Sequence, residues 1–384
     1  MEQLNGPDPV YLDYNATTPT DPRVASEMMP YLTGIYGNPS SSHALGQAAR
    51  RAIESARGEL AQLLAAEPGD IVFTSGGTEA NTHAICGAIA AAGRVDAHIV
   101  TTAVEHPAVT EVCRHLASRG VSTTYVAPDR LGRVDPDAVE DAFTANTVLV
   151  SVMHANNEVG TIQPVAEIAR RARARGILSH SDCAQSVGKI PVTLGLLEVD
   201  MLSVAGHKLY APKGVGALCL RSGLELPNLM FGAGHESGRR PGTENILEIV
   251  GLGTAARLAG SELARETDHL AVLRDRLQHM LMTAFPAATV NGHPIERLPN
   301  TLSIGIPGIE AAQVLSQLKD VAVSAGAACH GGGTSISHVL QAMRVPEAVA
   351  RGTLRISVGR MTTDDEIEFG GSALVAAVNT VGGS

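Results

Sequence analysis

Between Ile71 and Leu220 short apolar runs alternate with amphipathic stretches, a pattern that restricts the chain to an α/β fold with a mainly parallel sheet flanked by helices. Strands are expected at residues 71–73, 98–101, 147–152, 177–180, 201–204 and 216–220. In open sheets of this kind ligands bind outside the carboxyl ends of the strands. The segments that follow the strands therefore matter most. They deliver Thr74 to Glu79, Glu105-His106, Asn156-Asn157-Glu158, Asp182 to Gln185 and His207-Lys208 to one rim. Ahead of this block, residues 42–65 read as one long helix burying Ala49, Ile53, Ala56, Leu60 and Leu63 or Leu64. Behind it, residues 246–284 read as helical, with a break expected near Gly260-Ser261 where the chain crosses into a second domain. That domain holds strand-like segments at 301–304, 322–324 and 354–358, a helix at 311–318 and a closing helix at 363–379.

With 384 residues the chain is long enough for a large domain and a smaller one. Lys+Arg 29 against Asp+Glu 39 gives 29 − 39 = −10, which argues against a nucleic-acid partner and an anionic membrane surface and favours small molecules. No apolar run reaches the ~18 residues of a membrane span, and the first residues lack the basic start and apolar stretch of a signal peptide. A cytoplasmic location is the expectation. The five cysteines, Cys86, Cys113, Cys183, Cys219 and Cys329, are scattered without a Cys-x-x-Cys pair, and four are expected to sit reduced in or near the core.

Asp182, Gln185 and Lys208 form the arrangement that a pyridoxal phosphate enzyme needs. A strand-end lysine can form a Schiff base with the aldehyde, while a carboxylate ending a neighbouring strand keeps the pyridine nitrogen protonated. The competing reading is an Asp182–Lys208 salt bridge. Thr74-Ser-Gly-Gly-Thr-Glu79 opens a helix after a strand and can hold a phosphate, or it is a plain glycine turn with Thr78 as helix cap. His106, with Pro107 at a first helical position, can stack on a pyridine ring or simply end a strand. Asn157 and His207 suit cofactor or substrate contacts and also suit turns. Arg355 sits inside a strand and wants a carboxylate, from an amino-acid substrate or from an internal salt bridge. Cys329 borders His330 and three glycines, Gly331 to Gly333, and reads as an exposed, mobile nucleophile.

Taken together these residues resemble the fold-type I pyridoxal phosphate enzymes, and within that class V aminotransferase-like group the cysteine desulfurase and selenocysteine lyase family. The resemblance runs nearly end to end through Tyr11-Leu-Asp-Tyr-Asn-Ala-Thr-Thr-Pro19, Gly37-Asn-Pro39, Thr74 to Glu79, Glu105-His106, Met153-His-Ala-Asn-Asn-Glu158, Asp182-Cys-Ala-Gln185, Gly206-His-Lys208 and Arg240-Pro-Gly-Thr243. It implies a large domain (17–260) with a mainly parallel seven-stranded sheet, and a smaller α+β domain (1–16 and 261–384) carrying the cysteine loop.

The resemblance also implies roles for single residues. Lys208 bonds pyridoxal 5'-phosphate, Asp182 pairs with the pyridine nitrogen, Gln185 contacts the phenolic oxygen and His106 stacks on the ring. Gly77, Thr78 and His207 hold the phosphate, joined by Thr243 from the other subunit of a homodimer. Asn157, Arg355 and Asn38 bind the substrate carboxylate, and Cys329 accepts sulfur for delivery to an acceptor protein. One departure is visible, Ala205 where many desulfurases carry a serine phosphate ligand. Ser324-Ala-Gly-Ala-Ala-Cys-His330 is similar to the selenocysteine lyase version of the loop, so L-cysteine and L-selenocysteine both stand as substrates. An aminotransferase or β-eliminating lyase on the same fold, or a catalytically idle binding protein, are the remaining readings.

Overall fold

The computed structural model describes residues 9–326 and 336–383, together with the backbone of residues 329–330 and 333–334. Its centre is a seven-stranded sheet. In spatial order the strands are Ile71–Thr74, Gly216–Leu220, Met201–Ala205, Leu178–Asp182, Thr147–Ser151, His98–Thr102 and Ser122–Val126. Gly216–Leu220 runs antiparallel to both neighbours, and the other pairings are parallel. The central strands are buried because helices cover both faces, which is why Ile71–Thr74, Met201–Ala205 and Gly216–Leu220 read as largely apolar runs, while Leu178–Asp182 is buried although four of its five residues are polar.

Ser122–Val126 escaped sequence reading for the opposite reason. It is an edge strand whose Ser122, Thr124 and Tyr125 are exposed, so no apolar run marks it.

The helix Ala44–Leu64 buries Ala49, Ile53, Ala56, Leu60 and Leu64, with Leu63 only half-buried. Against it packs Ile246–Ala284, a single helix of 39 residues. The expected break at Gly260-Ser261 is absent. One glycine costs a helix only about 1 kcal/mol relative to alanine, less than the packing on either side supplies. Residues Ile249 to Ala259 of this helix join the core under the large sheet, and Leu270, Leu273, Leu277 and Leu281 join a second core.

The second core lies under an antiparallel sheet of Ser324–Ala325, Thr353–Ser357, Thr301–Gly305 and Thr289–Asn291, in that order. It is closed by the helix Asp364–Gly382, whose start is fixed by a capping box between Thr363 and Glu366. The short strand Val10–Tyr11 pairs in parallel with Val321–Ala322, tying the beginning of the described chain to this lobe. Among the described residues no helix is long and apolar enough to cross a membrane.

Candidate active site

The carboxyl ends of the central strands open into a cavity of about 430 Å³. Gly77, Thr78, His106, Asn157, Asp182, Gln185, His207, Lys208 and Arg355 all line it, residues drawn from segments up to 278 positions apart (355 − 77). Four of these groups arrive on strand ends or on the turns just after them, as the parallel topology requires: Asp182 closes its strand, Gln185 follows it, and His207 and Lys208 lie in the short 3-10 turn after Met201–Ala205.

At one end of the cavity the helix Gly77–Ala92 begins. Its N-cap is Gly76, at φ +152° and ψ 179°, a conformation open essentially to glycine alone. Thr78 therefore does not cap the helix, and no side chain does. First-turn N–H groups and the positive end of a 16-residue helix face the lining, the donor set that a phosphate needs. A Cβ on Gly77 would come within 3.1 Å of Ala205 Cβ, so this end of the cavity is also closely shaped. Glu79, two positions after Gly77, is held by a two-point ion pair with Arg240 and by the Ser75 N–H. Burial pushes its pKa up, but these bonds outweigh burial and keep it below the usual value.

Asp182 is 6% exposed. Asn81 Nδ2 donates to its Oδ2 at 2.6 Å and the Ala184 N–H to its Oδ1 at 2.9 Å. Lys208 Nζ instead donates to the carbonyl oxygens of Asn15 and, at 2.8 Å, Ala16. The Asp182–Lys208 salt bridge is thus not formed among the described residues, and both groups are presented to the cavity. Burial, with Arg355 as a neighbouring cation, lowers the Lys208 pKa to about 8 against the opposing pull of Asp13 and Asp182. Such an amine is far more nucleophilic at neutral pH than an ordinary lysine.

His106 caps the helix Pro107–Ala117 by accepting the Ala108 N–H on Nδ1, with Pro107 at the first helical position. Burial lowers its pKa, Asp182 opposes, and Lys208 and His338 add to the lowering. His207 Nδ1 lies 3.1 Å from the Thr17 hydroxyl, and burial followed by Lys208 brings its pKa to about 4. In the neutral tautomer in which Nδ1 accepts from the Thr17 hydroxyl, His207 Nε2 carries the proton and can serve as a hydrogen-bond donor.

Arg355 makes the internal salt bridge that one of its two sequence readings expects. Its Nη2 pairs with Asp13 Oδ1 at 2.7 Å, while its Nε is buried without a partner beside the cavity that Asn157 also lines. Asn38 is exposed, with Oδ1 engaged by the Ser40 N–H, and Thr243 is exposed; neither lines the cavity of its own chain. Cys329-His330 pairs in backbone register with Gly333-Thr334, and the Cys329 side chain lies outside the described residues. The other four cysteines are free thiols, with Cys113, Cys183 and Cys219 buried and Cys86 half-buried. Burial pushes Cys113 and Cys183 up to about 12 and raises the other two, which leaves them poor nucleophiles.

Sequence reasoning missed Asn15, Asn81 and Lys189. The Asn15 carbonyl accepts from both Lys208 and Gln185, Asn81 holds Asp182, and Lys189 holds Gln185. The only signal for Asn15 was its place in the Tyr11 to Pro19 motif, and for Asn81 its place one turn into the Gly77 helix.

The sequence profile of the class-V aminotransferase family matches residues 10–369. The chain belongs to the class-V aminotransferase family. Enzymes of this family are pyridoxal-phosphate-dependent. The cavity fits that group, with a helix N-terminus for a phosphate, a buried carboxylate for a pyridine N–H and an amine of lowered pKa for an aldehyde. Cysteine desulfurase 2 of Trichormus variabilis is 45% identical over 94% of this chain and 90% of its own length. Among solved structures, a NifS-like protein superposes with a TM-score of 0.91 at 36% identity, covering 97% of this chain and all of the other. SspA in complex with cysteine superposes with a TM-score of 0.82 at 34% identity, covering 91% of this chain and 98% of the other.

Proposed function

We propose that this class-V aminotransferase family member is a pyridoxal-5'-phosphate-dependent cysteine desulfurase, converting L-cysteine to L-alanine with transfer of sulfur to Cys329 as a persulfide. The observation that carries this reading is the convergence of Lys208, Asp182 and Gln185 on one cavity with Lys208 and Asp182 bonded to other partners rather than to each other. The names and cysteine complex of the relatives support the substrate. When bound, the cofactor supplies an electron-poor ring that takes up the electron pair left at the substrate Cα.

Lys208 would hold the cofactor by its aldehyde, and an amine with a pKa of about 8 would be suited to move the substrate α-proton. Asp182 would serve the pyridine N–H, Gln185 the phenolic oxygen and His106 the ring. Gly77, Thr78 and His207 would hold the phosphate, joined by Thr243 from the second subunit of a homodimer. Ala205 offers no hydroxyl, so the helix N-terminus carries more of this load. Arg355 Nε and Asn157 take the substrate carboxylate, with Asn38 at the rim. The Cys329 thiolate attacks the substrate sulfur, an S–S bond forms, the C–S bond breaks, and the carbon fragment keeps the electron pair and gains protons to become alanine. An acceptor protein then receives the outer sulfur.

The boundary between the two lobes is placed near residue 260, giving 17–260 and 1–16 with 261–384. The division of the long helix between two cores and the pairing of Val10–Tyr11 with Val321–Ala322 support it.

Alanine formed from L-cysteine without an α-keto acid acceptor, and lost on Cys329→Ala, is the expected result. Undiminished sulfur release by Cys329→Ala would reject the nucleophile assignment. The loop sequence and Ala205 favour L-selenocysteine as a second substrate, for which the same substitution is expected to cost less because selenium leaves more readily.

A further inference from the structure

Lys189 is 4% exposed, yet it carries an amine. Its Nζ donates to two oxygens of one residue, Gln185 O at 3.0 Å and Gln185 Oε1 at 3.1 Å. Burial, and after it the neighbouring cations Lys208 and Arg355, bring its pKa down to about 7. A buried amine among cations is costly, and a methionine would fill a comparable space at no such cost. Packing alone does not account for a nitrogen here.

The hydrogen bonds do. A carboxamide can be turned over with little change in shape, exchanging its acceptor for its donor. An ammonium only donates, so it selects Oε1, and the opposite end of the amide, Nε2, is left to donate to the Asn15 carbonyl at 2.9 Å on the cavity side. Asn15 O is shared with Lys208 Nζ, so Lys189 is the contact that Gln185 does not share with the reactive amine.

We propose that Lys189 is a positioning residue, which fixes the Gln185 amide with its N–H toward the cofactor oxygen and, while protonated, places a positive charge behind it. This rests on the pyridoxal phosphate reading of the cavity and extends it to a residue that does not line the cavity. A cation relayed through an amide favours the anionic form of an oxygen that the amide N–H contacts. Removing it makes that ionisation harder.

The test is a pH titration of the visible absorbance of the cofactor-loaded protein, for wild type and Lys189→Met, each also in a Gln185→Met background. The groups facing the reactive amine, Asp13, Asp182, Arg355, His106 and His207, are unchanged throughout. Lys189→Met is expected to raise the titration midpoint by about one pH unit with its melting temperature retained or increased. In the Gln185→Met background the same substitution is expected to produce no further shift. An unchanged midpoint with Gln185 intact, or an equal shift without Gln185, would overturn the proposal. Should Lys189→Met fail to fold, Lys189→Gln, which keeps a polar amide but no charge, carries the same comparison. A wild-type protein that develops no visible band with pyridoxal phosphate would overturn the cofactor reading and this inference with it, whereas a normal band with an unmoved midpoint removes the inference alone.

Discussion

A lysine becomes a useful nucleophile only when its proton is easily lost, and Lys208 achieves this by burial beside Arg355. With a pKa of about 8 its unprotonated fraction grows as pH climbs through 8 and then saturates. The rate of cofactor uptake by stripped protein is therefore expected to rise about tenfold between pH 7 and 9 and then level off. An ordinary surface amine would keep accelerating beyond pH 10, and that profile, followed by stopped-flow absorbance, would contradict the assignment. Lys208→Ala is expected to abolish the covalent band. Asp182 and Lys208 were legible because charge at or just past the end of an apolar strand is conspicuous, and Gln185 through its place three residues after Asp182. Asn81 and Lys189 were not, because their meaning comes from partners: Asn81 serves Asp182 across 101 positions, and Lys189 reads as an unremarkable lysine until its burial is known.

Among the elements, Ile71–Thr74, Thr147–Ser151, Met201–Ala205 and Gly216–Leu220 announced themselves as largely apolar runs and Leu178–Asp182 only through Ile177-Leu178, whereas Ser122–Val126 and Thr289–Asn291, partly exposed at sheet edges, carried no such mark. The long helix shows the converse error, since Gly260-Ser261 looked like a break and the helix runs through it. Glycine earns its place elsewhere in that helix. A Cβ on Gly253 would lie 2.5 Å from Ala56 Cα on the Ala44–Leu64 helix, so the two helices meet backbone to backbone. Gly253→Ala raises helix propensity by about 1 kcal/mol, yet overpacking at this crossing is expected to win and to cost ~1–3 kcal/mol in urea unfolding. A stabilised variant would show that the helices can move apart without penalty.

For the whole molecule, two cores joined by one helix create a cleft in which the large sheet supplies the cofactor groups and the smaller lobe supplies Arg355. Thr243 is exposed in the single chain, so its proposed role requires a second copy. Sedimentation is expected to give a mass near twice 39.8 kDa, and Thr243→Ala is expected to weaken cofactor retention; a fully active monomer would contradict both. In the proposed reaction, sulfur leaves L-cysteine in the Lys208 cavity and is collected by Cys329. Mass spectrometry of the Cys329 peptide after brief exposure of the loaded protein to L-cysteine measures this directly. One added sulfur atom on Cys329, absent in Lys208→Ala, is the predicted result. Alanine accumulating while the Cys329 peptide stays unmodified would contradict it.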